Sequence, residues 1–163
     1  MSELNGCACP MNLVSFALVG PRATSAAREA WQCVAELLMS QEIQQRFHDA
    51  CELADLSPPQ LKALLSLESG ATQSMRALAD GWHCDASWVT GIVDGLEERG
   101  YVQRQPHPTD RRVKVVGLTA LGEKAKARAL ERIYEPPASF IALSPGEQVQ
   151  LRDLLAKARP EHA

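Results

Sequence analysis

The feature that most constrains this chain is a change of hydrophobic period at Gly100. Before it, apolar residues recur at i, i+3, i+4 and i+7, which predicts a helix with one inward face. These residues are Val89, Ile92, Val93 and Leu96. After it, the stretches 101–104 and 113–116 are rich in β-branched or aromatic residues, which is typical of strands. Gly100 therefore separates a helix from a β-ribbon.

A short helix is predicted just before this one in the chain. Leu78 and Trp82 stand four residues apart and share one helical face. Asp85 is suited to cap the helix that follows. The loop 105–112 contains two prolines and a cationic tip. Helix, turn, helix and ribbon together predict a mainly α protein with a small β-wing, which is a winged helix-turn-helix.

This stretch resembles the MarR family of bacterial transcription regulators, and the resemblance covers residues 56–122. The residues that carry it are Leu78-Ala79, Val89-Thr90, Val93-Asp94, Leu96-Glu97, Gly100 to Arg104, Asp110-Arg111-Arg112, and Leu118-Thr119 with Gly122. The resemblance implies a homodimeric regulator that binds double-stranded DNA and responds to a small-molecule effector.

Composition restricts how such a chain can bind DNA. The formal net charge is −3 and the pI is about 5.8, so the surface as a whole is not basic. Any contact with nucleic acid must come from a local patch. Five cysteines, an odd number, argue against a secreted disulfide framework. Residues 11–19 make a poor signal peptide, and no apolar run approaches the ~20 residues of a membrane span. We therefore expect a cytoplasmic protein.

The chain divides into four stretches. Residues 1–22 have little pattern and are expected to form an irregular arm. Residues 57–119 form the winged helix-turn-helix DNA-binding domain. Amphipathic helices are predicted in 23–56 and 120–158, and the resemblance assigns them to dimerisation.

Several helix ends are marked in the sequence. Thr24 or Ser25 caps the first helix, which either bends or breaks near Ser40. Ser57 with Gln60 predicts a capping box, and residues 68–72 are expected to form a loop. Further along, Thr119 caps a helix, residues 135–137 interrupt it, and a second capping box begins at Ser144.

The second helix of the motif is the element that would enter the major groove. Its predicted outward face consists of Ser87, Trp88, Thr90, Gly91, Asp94 and Gly95. Ser87 and Thr90 can hydrogen-bond to bases or phosphates. Trp88 either contacts a thymine methyl group or packs on the neighbouring helix, and the sequence leaves both interpretations open.

The wing supplies the positive charge. Its cations are Arg104, Arg111, Arg112 and Lys114, set against one acid, Asp110. The resemblance implies that Arg112 enters the minor groove and that Asp110 orders the tip. A narrow minor groove attracts such an arginine electrostatically.

Two glycines depart from the family pattern, which often has arginine or lysine where this chain has Gly91 and Gly95. Each costs a helix ~1 kcal/mol relative to alanine. The glycines either let the backbone approach DNA closely or weaken DNA binding.

The cysteines form no complete metal or catalytic pattern, although Cys7 and Cys9 could join a histidine in binding zinc, and no cofactor site is predicted. Cys33, Cys51 and Cys84 are expected in the core. Cys7 and Cys9 are candidate redox residues, because some members of the family sense peroxide through an N-terminal cysteine. His83 occupies a turn position that favours positive φ. No catalytic constellation appears, so an enzyme is not expected.

The function predicted from these features is repression at a palindromic operator, released by a small aromatic molecule or an oxidant. Two alternatives stay open: a winged-helix dimer that serves as an interaction module, and a cysteine-based redox sensor. The family's effector site lies between the dimer helices and the winged domain. The residues that either approach such a cleft or belong to the core are Trp31, Phe47, His48 and Leu64.

Overall fold

A computed structural model describes residues 23–107 and 109–159 of the chain. Its helices are α1 (Ser25–Leu38), α2 (Gln41–Ala54), α3 (Pro58–Ser66), α4 (Met75–Trp82), α5 (Ala86–Glu98), α6 (Ala120–Tyr134), α7 (Ala138–Ile141) and α8 (Pro145–Ala158). Its strands are β1 (Thr72–Ser74), β2 (Val102–Pro106) and β3 (Lys114–Leu118). The predicted mainly α fold with a β-wing is confirmed. Within these residues, no helix is both long and apolar enough to cross a membrane.

The small sheet is antiparallel with strand order β1-β3-β2. In the β2–β3 hairpin, Val102 pairs with Leu118 and Pro106 with Lys114. Both strands begin one residue later and end two residues later than the predicted stretches 101–104 and 113–116. The prediction of a loop over 68–72 is wrong at its end, because Thr72 begins β1 and pairs with Gly117.

The helix ends follow local side-chain chemistry. Thr24 Oγ1 accepts from the N–H of Ala27 at 3.1 Å and caps α1. The helix is interrupted at Ser40, which caps a separate α2. Of the two predicted possibilities, one bent helix or two helices, the structure has two. His83 has φ 52°, as predicted, and ends α4. Asp85 occupies the N-cap of α5, although its side chain makes no capping hydrogen bond.

Both predicted capping boxes hold a helix start. Gln60 Oε1 accepts from the N–H of Ser57 at 3.0 Å, and Glu147 Oε2 accepts from the N–H of Ser144 at 2.9 Å. Thr119 Oγ1 accepts from the N–H of Gly122 at 3.0 Å and caps α6. A Cβ at Gly122 would overlap the carbonyl of Tyr101, so this close approach of α6 to the wing requires glycine.

The core lies beneath the winged helix-turn-helix. Its fully buried large side chains come from α3, α4, α5 and the sheet, and include Leu61, Leu64, Leu78, Val89, Leu96 and Val116. In contrast, α1, α7 and α8 contribute no buried residue. The core is therefore built around the element predicted to read DNA.

The cysteines differ from one another in burial. Cys51 is buried, as predicted. The expectation of a core position is wrong for Cys33, which is exposed because α1 buries no face against the rest of this chain. Cys84 is half-buried rather than fully buried, and its Sγ donates to the carbonyl of Trp82 at 2.9 Å.

Candidate DNA-binding interface

The outward face of α5 is small and uncharged at its N-terminal end. Ser87, Thr90 and Gly91 are exposed, and nothing lies within 4 Å of a Cβ built at Gly91. Thr90 Oγ1 donates to the carbonyl of Ala86 at 2.8 Å, so its oxygen is left as an acceptor. Trp88 is half-buried and packs against the core, which corresponds to the packing interpretation of this residue.

Gly95 does not belong to this outward face. It is buried, and a Cβ there would overlap the side-chain amide of Gln60 in α3. The prediction that Gly95 points outward is therefore wrong, because α3 crosses α5 closely at this position. Gly91 and Gly95, four residues apart, have different roles: one is open and the other permits helix packing.

Arg104 is held between two carboxylates of α5. Its guanidinium lies 2.5 Å from Asp94 Oδ1 and 2.5 Å from Glu97 Oε2, and its side chain is 23% exposed. The N–H of Arg104 also donates to Glu97 Oε1 at 2.9 Å. Burial opposes its charge, but the hydrogen bonds to Asp94 and Glu97 outweigh that effect and raise the pKa of Arg104 above its ordinary value. This arrangement braces β2 against the recognition helix.

The wing tip is ordered by Asp110. Its Oδ1 accepts from the N–H of Arg112 at 3.0 Å, while its carbonyl accepts from the N–H of Val113 at 3.0 Å. The N–H of His107 closes the turn on the carbonyl of Val113 at 2.9 Å. Asp110 therefore shapes the backbone that carries the neighbouring arginines.

Three wing cations stand apart from the acids of the molecule. Arg111, Arg112 and Lys114 are exposed, and none has an ion-pair partner among the residues that the structure describes. By contrast, α5 carries three acids and no lysine or arginine between Ala86 and Glu98. On the described part of the winged unit, the cations that are free of ion pairs are thus concentrated on the wing, while α5 is acidic.

Comparison with known proteins places this fold. The MarR family model matches residues 56–114. The HTH-type transcriptional regulator YkoM of Bacillus subtilis is 31% identical over 107 residues, which are 63% of this chain and 67% of YkoM. This chain belongs to the MarR family. Another relative, the HTH-type transcriptional regulator YfiV of B. subtilis, is 37% identical over 70 residues, which are 43% of this chain but only 44% of YfiV.

Solved structures of MarR proteins share the fold. A MarR family protein from Bacillus stearothermophilus superposes with a TM-score of 0.66 at 22% identity, covering 83% of this chain and 96% of that protein. MepR of S. aureus, solved as a DNA complex, gives a TM-score of 0.56 at 17% identity, covering 80% of this chain and 99% of MepR. Both similarities extend across the helices that flank the winged unit.

The residues considered for the MarR effector cleft differ in burial, and none of them lines the cleft that the structure shows beside α6. Leu64 is fully buried, Phe47 is half-buried and Trp31 is 66% exposed. A cleft of about 200 Å³ instead opens between α2, the start of the wing and α6. Its walls include Leu53, Tyr101, Leu121, Lys124 and Arg128.

The sequence reasoning missed Lys124 and Arg128, and the signal for them was weak. They lie four residues apart on one face of α6, but only the packing of α2 beside α6 makes that face a cleft. Cys7 and Cys9, the candidate redox residues, and the expected arm over 1–22 lie outside the described residues. Within the described residues, no group of three or more histidine, cysteine or acidic side chains could hold a metal ion.

Proposed function

We propose that this MarR protein is a cytoplasmic homodimer that binds a palindromic DNA operator and represses transcription until an effector releases it. The observation that carries the proposal is the ordered wing tip with Arg111, Arg112 and Lys114 exposed and unpaired among the described residues. These cations lie on the same winged unit as the open N-terminal face of α5. A structural relative, MepR, has been solved in complex with DNA.

Each part of this surface has a distinct role in the proposal. The N-terminal half of α5 enters the major groove, where Ser87, Thr90 and the backbone at Gly91 approach base edges. Arg112 enters the adjacent minor groove, while Arg111 and Lys114 contact phosphates. Trp88 supports the helix from the core side, and Arg104 braces the wing. Two-fold symmetry then requires half-sites separated by about one helical turn.

The helices of 23–56 and 120–158 are proposed to form the dimer. Large apolar side chains on them are exposed in the single chain, and a stable protein normally covers such a surface. These side chains are Trp31, Leu38, Met39, Tyr134, Ile141, Val149, Leu154 and Leu155. Neither α1 nor α8 contains a buried residue in the single chain, so a second copy is the partner that supplies the missing contacts.

The cleft beside α6 is the proposed effector site. Leu53 and Leu121 give it exposed apolar walls, while Lys124 and Arg128 supply two cations without ion-pair partners in the described part of the chain. This combination fits a small aromatic carboxylate, whose ring would contact the leucines. Because the cleft joins α2 and α6 to Tyr101 at the base of the wing, a bound effector would shift the population toward dimers that no longer match the operator.

A second candidate function is supported by the acidic recognition helix. With three acids and no cation on α5, a winged dimer could have exchanged DNA binding for an interaction with another protein. In that case, the wing cations would contact an acidic partner and not phosphates.

Fluorescence anisotropy with labelled duplexes distinguishes these functions. The first duplex is the DNA upstream of the protein's own gene, and the control is a scrambled duplex of equal length. Titrations at several salt concentrations give the slope of log K against log salt, to which each phosphate contact contributes ~0.9. Sedimentation velocity on the same sample measures the oligomeric state.

Selective binding by a dimer with a steep salt slope is the expected result. Equal and weak binding to both duplexes would contradict regulation of its own gene and lead to a screen of random duplexes. Absence of binding at low salt to any duplex would overturn the DNA-binding proposal in favour of the interaction module. The effector cleft is tested by adding salicylate-like carboxylates, which should release the protein from DNA. A Lys124→Ala/Arg128→Ala variant should no longer be released by them.

A further inference from the structure

A buried arginine donates hydrogen bonds to backbone carbonyls of the turn that follows α6. Pro136 and Pro137 have no N–H, so α6 stops at Tyr134 and the helical bonding pattern cannot continue. Arg46 of α2 donates from Nη1 to the carbonyl of Glu135 at 2.7 Å and from Nη2 to the carbonyl of Pro136 at 3.2 Å. The guanidinium therefore bonds to two backbone carbonyls of the turn that follows α6.

Arg46 is the one buried charged side chain among the described residues, with 9% of the residue exposed. A buried charge requires close acceptors, since it has given up its hydration. All the acceptors of Arg46 lie on Glu42 of α2 or on the turn after α6. Its Nε has no hydrogen-bond partner among the described residues. The guanidinium is therefore held through its two Nη atoms, by Glu42 and by the turn after α6.

Glu42 extends this contact to α7. Its Oε1 accepts from Arg46 Nη2 at 2.8 Å and from the N–H of Ala138, the first residue of α7, at 3.2 Å. The hydrogen bond from Arg46, followed by the one from Ala138, lowers the pKa of Glu42. One carboxylate thus joins the buried arginine to the start of the next helix.

A second arginine repeats the link between α2 and α6. Arg132 of α6 bonds to Asp49 of α2, with Nε 3.0 Å from Oδ2, and also pairs with Glu135. Five charged side chains therefore connect α2 with α6 and the turn after it, and we call them the α2–α6 clasp. They are Glu42, Arg46, Asp49, Arg132 and Glu135.

Few other contacts determine where α7 and α8 point. Neither helix contains a buried residue, although Pro137 just before α7 is buried. Gln148 bonds to the carbonyls of Phe140 and Leu143, which belong to the same segment. Within the described residues, the side-chain hydrogen bonds that join the start of this segment to α2 come from the clasp.

We propose that Arg46 is a positioning residue that sets the direction in which α7 and α8 leave α6. In the dimer, this direction determines the separation of the two winged units, and that second step rests on the proposed function. A half-site spacing of one helical turn tolerates little change in this separation, so Arg46 acts on DNA binding from a distance.

Hydrogen–deuterium exchange on the full chain tests the first step. In an Arg46→Met variant, we expect exchange in residues 138–144 to rise roughly tenfold, while the sheet of 102–118 keeps its protection. Arg46→Lys keeps the charge and one donor group, so its effect should be intermediate. Arg76→Met is the matched control, because it also removes the arginine of an i,i+4 pair with an acid, Asp80, on a helix remote from α6.

A second variant covers the case in which Arg46→Met does not fold. Glu42 is 45% exposed in its side chain, so Glu42→Ala should leave the core intact. It removes the bond to Ala138 and should raise exchange in 138–144 about threefold. Unchanged exchange in this segment in the folded variants, or an equal rise across the whole chain, would overturn the positioning role.

The separation of the winged units is measured by electron–electron dipolar spectroscopy. A nitroxide attached to a ketone-bearing amino acid at position 109 avoids the natural cysteines. The wild-type dimer should give one narrow distance distribution, and Arg46→Met should broaden or shift it. An unchanged distribution in an Arg46→Met dimer would overturn the second step. A monomeric wild type, seen first by sedimentation, would contradict the proposed dimer while the exchange experiment still decides the role of Arg46.

Discussion

The wing tip and helix α5, the two parts of the proposed DNA interface, differ in how their charges are arranged. The tip carries Arg111, Arg112 and Lys114 exposed, and its backbone is ordered by Asp110. Helix α5 carries only acids, two of which hold Arg104. Charge and shape are therefore separated in the proposed interface: the wing would provide electrostatic attraction, and the N-terminal half of α5, which has no charged side chain, would fit a groove. If α5 enters a groove as proposed, an acidic helix can contact DNA because its basic neighbour supplies the attraction.

Removing the wing charge should have the largest effect. In Arg111→Ala/Arg112→Ala/Lys114→Ala, we expect operator affinity to fall at least roughly 100-fold and the salt slope to drop by ~0.9 for each lost contact. The matched variant Arg111→Lys/Arg112→Lys keeps the charge, so it should keep most of the slope while losing the guanidinium fork. Anisotropy titrations across salt concentrations provide both quantities. An unchanged slope in the alanine variant would show that the wing does not meet phosphates.

Removing Arg104, which links the wing to α5, should lower the stability of the fold more than it lowers DNA affinity. Arg104→Met leaves Asp94 and Glu97 without their shared cation, and we expect the free energy of unfolding to fall by about 1–2 kcal/mol. Urea denaturation measures this loss, and Asp94→Asn, which removes one of the two partners, should cost less. The salt slope of DNA binding should stay the same. A slope reduced by ~0.9 would instead assign Arg104 to the phosphate contacts.

Adding charge to the recognition helix tests the comparison from the other side. Gly91 is exposed with open space around it, so Gly91→Arg should fold, tighten DNA binding roughly fivefold and steepen the salt slope by ~0.9. Gly91→Ala is the control, since it improves helix propensity without adding charge. Affinity that stays unchanged at every salt concentration would mean that this face of α5 does not approach DNA.

The two glycines of α5 provide the smallest and most local test. Gly91→Ala should stabilise the protein by ~1 kcal/mol, because alanine is the better helix former. Gly95→Ala should lack that gain, because the new Cβ would displace the side-chain amide of Gln60. The oxygen of that amide accepts from the N–H of Ser57 in the capping box of α3. Paired urea midpoints measure the difference. Equal stabilisation by both changes would show that the contact between α3 and α5 yields without cost.

Much of the fold could be predicted because its signals are local. The capping boxes at Ser57 and Ser144, the cap at Thr119 and the positive φ of His83 each depend on residues within four positions. Strand β1 could not be predicted in this way. Its three residues are too few for a period, and its partner β3 lies about 40 residues further along the chain.

The candidate site was predictable in composition but not in arrangement. The sequence identified the wing cations and the polar face of α5, but counted Arg104 with the free cations and Gly95 with the exposed residues. In the structure, two ion pairs hold Arg104, and the crossing of α3 over α5 buries Gly95. Similarly, helical spacing grouped Cys33 with core residues, although a spacing shows which side chains share a face and not what covers that face.

The winged helix-turn-helix, its helix ends and the location of its positive charge follow from local sequence, because periodicity, capping and turn chemistry act between near neighbours. The fold is needed to establish which cations stay unpaired, which glycine is open and which arginine is buried. Those properties depend on groups brought together from distant parts of the chain, as Arg46 and Glu135 are. Electrostatic and packing energies follow distance in space, and a linear pattern does not contain that distance.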